Sequence, residues 1–133
     1  MKAHEYMSLN EDELKALVAN GDLYAEYQLA ENEELEFNDP QAAVQLHTKL
    51  AAAGLLRAYW ALAYNYLDGH VTGQPEPVKA LGYLFFVEKN RGKSDIEADV
   101  SPDDVNLTQD IAEKSANLTQ QQINEARAFC ETI

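Results

Sequence analysis

The sequence predicts an all-α protein, a short solenoid of antiparallel helix pairs with about seven helices. A block of small and apolar residues recurs after 33 positions, and self-similarity at such a period is typical of stacked helical repeats. Apolar residues also recur every three or four positions along the chain, and no segment alternates convincingly like a strand. Capping residues and glycines separate the periodic segments. The two copies of the block are Gly21, Ala25, Leu29, Ala30 and Gly54, Ala58, Leu62, Ala63.

The first two helices are predicted from their ends. Ser8 or Asn10 is the expected N-cap of the first, because three acidic residues follow where they meet the positive end of the helix dipole. Gly21 ends this helix, since glycine readily adopts the left-handed conformation that closes a helix. A second helix is expected over about residues 22–32, before an acidic connection.

The third and fourth helices form the centre of the predicted core. Asp39 followed by Pro40 predicts a helix start, with a capping side chain and proline at the first helical position. This third helix ends at Gly54. The fourth, over residues 55–69, is apolar around much of its circumference, so it is expected to be buried on more than one side.

Three further helices complete the prediction. The fifth covers residues 78–90 and is rich in large apolar side chains. Residues 91–101 show no period and predict a solvated acidic loop, after which Pro102 is expected to restart a helix. Thr119 and Gln122 form the spacing of a capping box at the start of the last helix.

A more specific pattern spans the third, fourth and fifth helices. Its members, in chain order, are Ala51, Gly54, Ala58, Leu62, Ala63, Tyr66, Gly69, Lys79 and Ala80. The pattern resembles the Sel-one-like repeat, a relative of the tetratricopeptide repeat in which helix pairs stack into a superhelix. An earlier copy, over residues 18–50, is similar but degenerate, with Val18 and Glu33 at the positions of Ala51 and Tyr66.

The resemblance implies one right-handed solenoid domain over residues 1–133. The first repeat would cover about residues 18–53 and the second about residues 54–91. The acidic loop 91–101 would then lead to capping helices within residues 102–133, and the N-terminal helix would cap the other end.

The resemblance also implies a concave groove, lined by the first helix of each pair. The residues that it places on this side are Tyr24, Tyr27, Glu31, Arg57, Trp60, Tyr64 and Asp68. Aromatic rings beside arginine are common anchors of protein interfaces, because they bury a large area with few rotatable bonds. The same rings could instead pack against neighbouring helices or the C-terminal cap, and the sequence leaves both arrangements open.

Composition limits the class of protein. With 133 residues and 46% hydrophobic residues, the chain is long and apolar enough for one folded domain. Its net charge of −13 argues against binding to nucleic acid or to an anionic membrane surface, where cationic patches are needed. No signal segment or membrane span is visible, so a cytoplasmic protein is expected. The single cysteine, Cys130, is expected to be a buried packing residue.

The sequence shows no set of catalytic or metal-binding residues. His4, His47 and His70 occur singly, and none has a cysteine or acid at metal-ligand spacing. Asp95, Glu97 and Asp99 have the alternating spacing of the first ligands in a calcium-binding loop. Val100, however, occupies the position where such a loop requires glycine. We therefore expect no metal, no cofactor and no enzymatic activity.

Two functions remain as hypotheses. The leading one is a non-catalytic interaction module that holds a protein or peptide in the concave groove, and the negative net charge permits a basic partner. The alternative is an acidic inhibitor of the immunity or antitoxin type, in which the acids of residues 31–39 and 95–104 block a basic partner through electrostatic steering. A monomer is expected because both ends of the array have capping helices, and a homodimer is the alternative.

Overall fold

The structure, a computed structural model, describes all 133 residues and contains nine helices and no strand. In chain order the helices are α1 Ala3–Met7, α2 Glu11–Ala19, α3 Leu23–Asn32, α4 Leu35–Asn38, α5 Pro40–Ala52, α6 Leu56–Leu67, α7 Pro77–Asn90, α8 Val105–Ala116 and α9 Gln120–Cys130. The all-α prediction is confirmed. The expected count of seven was two too low, because α1 and α4 have only five and four residues and are too short to show a helical period.

Side-chain caps start most of the longer helices as the sequence predicts. Asn10 and Thr119 form capping boxes at α2 and α9, and Asp22 and Asp39 accept backbone N–H groups at the starts of α3 and α5. At α8 the predicted start at Pro102 is wrong. Asp104 is the N-cap, with its carboxylate accepting from the first-turn amides, so α8 begins at Val105.

The two glycines of the repeated block close α2 and α5 in the same way. Gly21 and Gly54 have φ angles of 86° and 107°, in the left-handed region that the sequence predicts. In both turns the glycine amide donates to the carbonyl three residues earlier, and the next amide donates to the carbonyl five residues earlier. The repeated sequence block therefore encodes a repeated helix end.

Helix α6 lies at the centre of the core. It packs between α5 and α7, and its two buried faces belong to different apolar clusters. Ala58 and Leu62 face the N-terminal cluster, whereas Trp60 and Ala63 face the cluster formed with α7, α8 and α9. Burial of α6 on more than one side is thus confirmed.

The loop between α7 and α8 is not the solvated acidic loop that the sequence predicts. Ala98, Asp99 and Val100 are buried. The Asp99 carboxylate accepts hydrogen bonds of 2.7 Å from the backbone N–H groups of both Leu56 and Arg57, at the start of α6. Because the N-cap of α6 is Leu55, which has no capping side chain, Asp99 supplies the missing acceptor from 43 residues away.

Helices α7 and α9 approach closely at Gly82. A Cβ atom at this position would lie 2.5 Å from Cδ2 of Phe129 and 3.0 Å from the carbonyl oxygen of Ala126. Gly82→Ala is therefore expected to lower the free energy of unfolding by about 1–2 kcal/mol, because steric overlap exceeds the gain of about 1 kcal/mol in helix propensity. Urea unfolding monitored by circular dichroism measures this change, and a more stable variant would contradict the close packing.

The C-terminal half of the core also contains the only cysteine. Cys130 is buried in the cluster with α7, as predicted for a packing residue, and burial raises the pKa of its thiol. None of the nine helices combines the length and apolar character that crossing a bilayer requires.

Candidate binding cleft

A cleft with a volume of about 390 Å³ lies between α6 and α8, with one residue of α3 at its edge. The residues that line it are Tyr27, Arg57, Trp60, Ala61, Tyr64, Asn106, Gln109, Asp110 and Glu113. We call this the α6–α8 cleft. It brings together four of the seven residues that the sequence analysis placed in a groove, namely Tyr27, Arg57, Trp60 and Tyr64.

Asp110 on α8 fixes the two aromatic side chains of α6. Its Oδ2 atom accepts a 2.9 Å hydrogen bond from Nε1 of Trp60 and a 2.6 Å hydrogen bond from the hydroxyl of Tyr64. Burial and the bond to Asp110 raise the pKa of Tyr64, so its hydroxyl stays protonated and donates. The side chains of Trp60 and Tyr64 are therefore held in one arrangement in the absence of a ligand.

Arg57 places a cation in the cleft. Its guanidinium carbon lies 4.6 Å from the centre of the Trp60 ring, at cation–π distance. Its backbone amide is fixed by Asp99, but Nε of the side chain is buried and has no hydrogen-bond partner. A buried donor without a partner in the chain is unusual in a folded protein.

Tyr27 forms the edge of the cleft on α3. Burial raises the pKa of its hydroxyl, and the nearby carboxylate of Glu31 raises it further. The hydroxyl is consequently neutral and can donate a hydrogen bond. Glu31 itself is exposed and stands next to the cleft without lining it.

The two other predicted groove residues lie elsewhere. Tyr24 is only 4% exposed, and its ring packs 4.8 Å from that of Tyr6 on α1. Asp68 is exposed at the C-terminal end of α6, where it is the C-cap residue, and it does not reach the cleft. The α8 wall was missed by sequence reasoning, since residues 106, 109, 110 and 113 share one helix face but carry no motif.

A second polar cluster is buried beneath α4. His47 Nδ1 lies 3.0 Å from Oδ1 of Asn65 and 3.1 Å from Oε1 of Glu36, and Nδ2 of Asn65 donates to both Glu36 oxygens at 2.9 Å. Asn65 is completely buried and His47 nearly so. We call these three residues the polar triad.

The hydrogen bonds of the polar triad decide its protonation. Burial alone lowers the pKa of His47 and raises that of Glu36, since it disfavours both charged forms. The mutual hydrogen bonds outweigh burial, so the pKa of His47 is raised and that of Glu36 is lowered. The triad therefore favours a charged imidazolium beside a charged carboxylate.

The chemistry of the α6–α8 cleft is suited to binding. It offers the ring of Tyr64, which is 38% exposed, and little of Trp60, which is 6% exposed, together with one guanidinium, two carboxylates and two side-chain amides. No serine, cysteine or histidine lines it. No group of three or more His, Cys, Asp or Glu residues in the structure is placed to hold a metal ion. Comparisons with models of known protein families, with curated proteins and with solved structures found no match for this chain.

Proposed function

We propose that this protein is a non-catalytic interaction module that binds a segment of a protein or peptide in the α6–α8 cleft. The observation that supports the proposal most is the convergence of Tyr27, Arg57, Trp60 and Tyr64 on one cleft. Tyrosine, tryptophan and arginine are the residue types that contribute most often to binding energy at interfaces. The resemblance to helical repeats, whose concave sides bind extended segments, agrees with this role but stays part of the proposal.

The cleft is preorganised for such a segment. Because Asp110 already holds Trp60 and Tyr64, binding does not have to order these rings. A volume of about 390 Å³ is at the lower end of the range for ligand sites and accommodates one or two anchoring side chains of a longer segment. The open mouth lets the rest of the segment continue along the surface.

The charges favour a segment with basic side chains. Asp110, Glu113 and the adjacent Glu31 carry three negative charges, against one positive charge on Arg57. None of these three acids takes part in an ion pair within the chain. A lysine or arginine of the partner would therefore meet uncompensated carboxylates, while the Arg57 side chain binds a carbonyl or carboxylate of the same segment.

The alternative function, an acidic inhibitor of a basic protein, has weaker support, because some of the acids on which it depends have roles within the fold. Two acids of its second cluster act within the fold, because Asp99 caps α6 and Asp104 caps α8. In the first cluster Asp39 caps α5 and Glu36 belongs to the polar triad. The cleft therefore supports the first function better than the acid clusters support the second.

Selection from a phage-displayed library of random dodecapeptides tests the proposed site. We expect enriched peptides to carry lysine or arginine and to shift the backbone amide resonances of Ala61, Gln109 and Glu113. Gln109→Arg extends a long side chain at an exposed position of the cleft wall and should weaken these peptides at least tenfold. Gln121→Arg, at an exposed position of α9, is the matched control and should leave their affinity unchanged.

Two results would contradict the proposed site. One is a selection that enriches no peptide above the level found with bare support. The other is a set of peptides whose resonance shifts lie away from the cleft and whose affinity is equal for Gln109→Arg and Gln121→Arg.

A further inference from the structure

Phe37 is the most exposed large apolar residue of the protein, with 85% of its surface accessible. It belongs to α4, the four-residue helix that follows α3. An aromatic side chain that stays in water gives up a favourable contribution to stability, because it buries about 150 Å² or more when it packs in a protein core. Such exposure therefore calls for a reason in the surrounding structure.

Helix α4 is firmly attached to the protein despite its length. The residue before Phe37 is Glu36, whose carboxylate is held by the buried side chains of His47 and Asn65. The residue after it is Asn38, whose side-chain amide donates to the carbonyl of Glu33 at 3.0 Å. Phe37 is thus presented from a short helix that is fixed on both sides of the ring.

The residue just before α4 is also held in an unfavourable conformation. Glu34, just before the helix, has φ 53° and ψ 43°, and it is the only residue other than glycine with positive φ. The left-handed region is strained for a side chain of this type, and such strain persists only where surrounding contacts impose it. The polar triad supplies such contacts, since it draws Glu36 inward while Phe37 points outward.

The surroundings of Phe37 are strongly acidic. Residues 21–39 contain seven acidic residues and no lysine or arginine. Glu33 and Glu34 are exposed and form no ion pair within the chain. A second copy of this chain is a poor occupant of the surface, because two molecules of net charge −13 repel each other.

We propose that Phe37 is a docking anchor for a basic protein, whose apolar pocket takes the phenyl ring while lysine or arginine residues around that pocket face Glu33 and Glu34. A central aromatic anchor within a charged rim is the common arrangement of an interface hot spot. The surrounding charges steer the encounter and make it sensitive to salt. This surface is distinct from the α6–α8 cleft, so the two proposals succeed or fail independently.

Photo-crosslinking in the cell that produces the protein tests this surface. The photoreactive amino acid p-benzoylphenylalanine replaces Phe37 in one version of the full chain and Val105 in another. Val105 is the matched control, because it is an apolar residue with 66% exposure and lies outside the acidic residues 21–39. We expect one basic protein to be linked specifically through position 37 and not through position 105.

Affinities measured with that purified partner complete the test. Phe37→Ala should weaken binding at least thirtyfold, whereas Val105→Ala should change it less than threefold. Glu33→Gln combined with Glu34→Gln should slow association and reduce its dependence on salt. Circular dichroism of each variant verifies that the fold is retained, as expected for changes at exposed positions.

The proposal would be overturned by any of four results. The first is equal crosslinking through positions 37 and 105. The second and third are crosslinking through position 37 to an acidic protein or to a second copy of this chain. The fourth is a Phe37→Ala variant that binds the basic partner as tightly as the wild type.

Discussion

Asp99→Ala is expected to lower the free energy of unfolding by about 3 kcal/mol, a large loss for a residue in a loop. The carboxylate makes two 2.7 Å hydrogen bonds to the first amides of α6, and it is buried. Removing it leaves these amides without an acceptor at the start of the central helix. It also releases the loop, whose neighbours Ala98 and Val100 contribute to the two apolar clusters.

Asp103→Ala is the matched control for this prediction. Asp103 is an exposed acid of the same loop, so its replacement should change stability by no more than about 0.5 kcal/mol. Urea unfolding of both variants, monitored by circular dichroism and by Trp60 fluorescence, measures the difference. Equal stability of the two variants would show that Asp99 does not cap α6.

Asn65→Leu is expected to have a similarly large effect, again about 3 kcal/mol. Leucine has nearly the same size, but it can neither accept from His47 nor donate to Glu36. His47 would then lose a partner in a buried site, and Glu36, whose side chain is 39% exposed, would lose one at the edge of that site. Asn124→Leu, at an exposed position of α9, is the control and should have little effect on unfolding.

The polar triad should also give the protein a defined pH dependence. The folded-state pKa of His47 lies above its ordinary value of 6.5, so its stabilisation is complete below pH 6.5 and is lost as pH rises through the folded pKa. The folded-state pKa of Glu36 lies below 4.5, so its stabilisation is present above pH 4.5 and is lost as pH falls through the folded pKa. The triad should therefore contribute most between about pH 4.5 and 6.5.

Glu36→Gln tests this pH dependence directly. It keeps an oxygen acceptor but removes the charge that raises the pKa of His47, so the stability advantage of the wild type over the variant should be largest near pH 5 and shrink toward pH 8. Free energies of unfolding from urea titrations at several pH values provide the comparison. Parallel curves for wild type and variant would mean that the triad carries no ion pair.

The sequence was sufficient to predict the helices that have local signals. Asn10, Asp39 and Thr119 each combine a capping side chain with an apolar period, so the starts of α2, α5 and α9 were predicted within a residue or so. The glycine that ends α5 was predicted for the same reason. The start of α3 was expected at about residue 22, but the capping role of Asp22 was not predicted. Helix α4 gave no such signal, because four residues complete little more than one turn.

The features that were missed depend on contacts between distant residues. From the sequence, Asp99 looked like a solvent-exposed acid of the loop, because the two backbone amides that it caps lie 42 and 43 positions earlier. One signal was present, since Leu55 cannot cap α6 and an acceptor had to come from elsewhere. The sequence also left undecided whether the rings of Trp60 and Tyr64 pack against neighbouring helices or stay exposed, because Asp110 reaches both from another helix. In the structure Trp60 is packed, with 6% exposure, whereas Tyr64 is 38% exposed.

Affinity capture from the cell that produces the protein tests the central claim most directly, that the α6–α8 cleft binds a protein partner. Wild type, Gln109→Arg and Gln121→Arg serve as baits, after their unfolding curves have been shown to agree. The account predicts at least one protein that is retained by the wild type and by Gln121→Arg and is lost from Gln109→Arg. Identical sets of retained proteins on all three baits would contradict it.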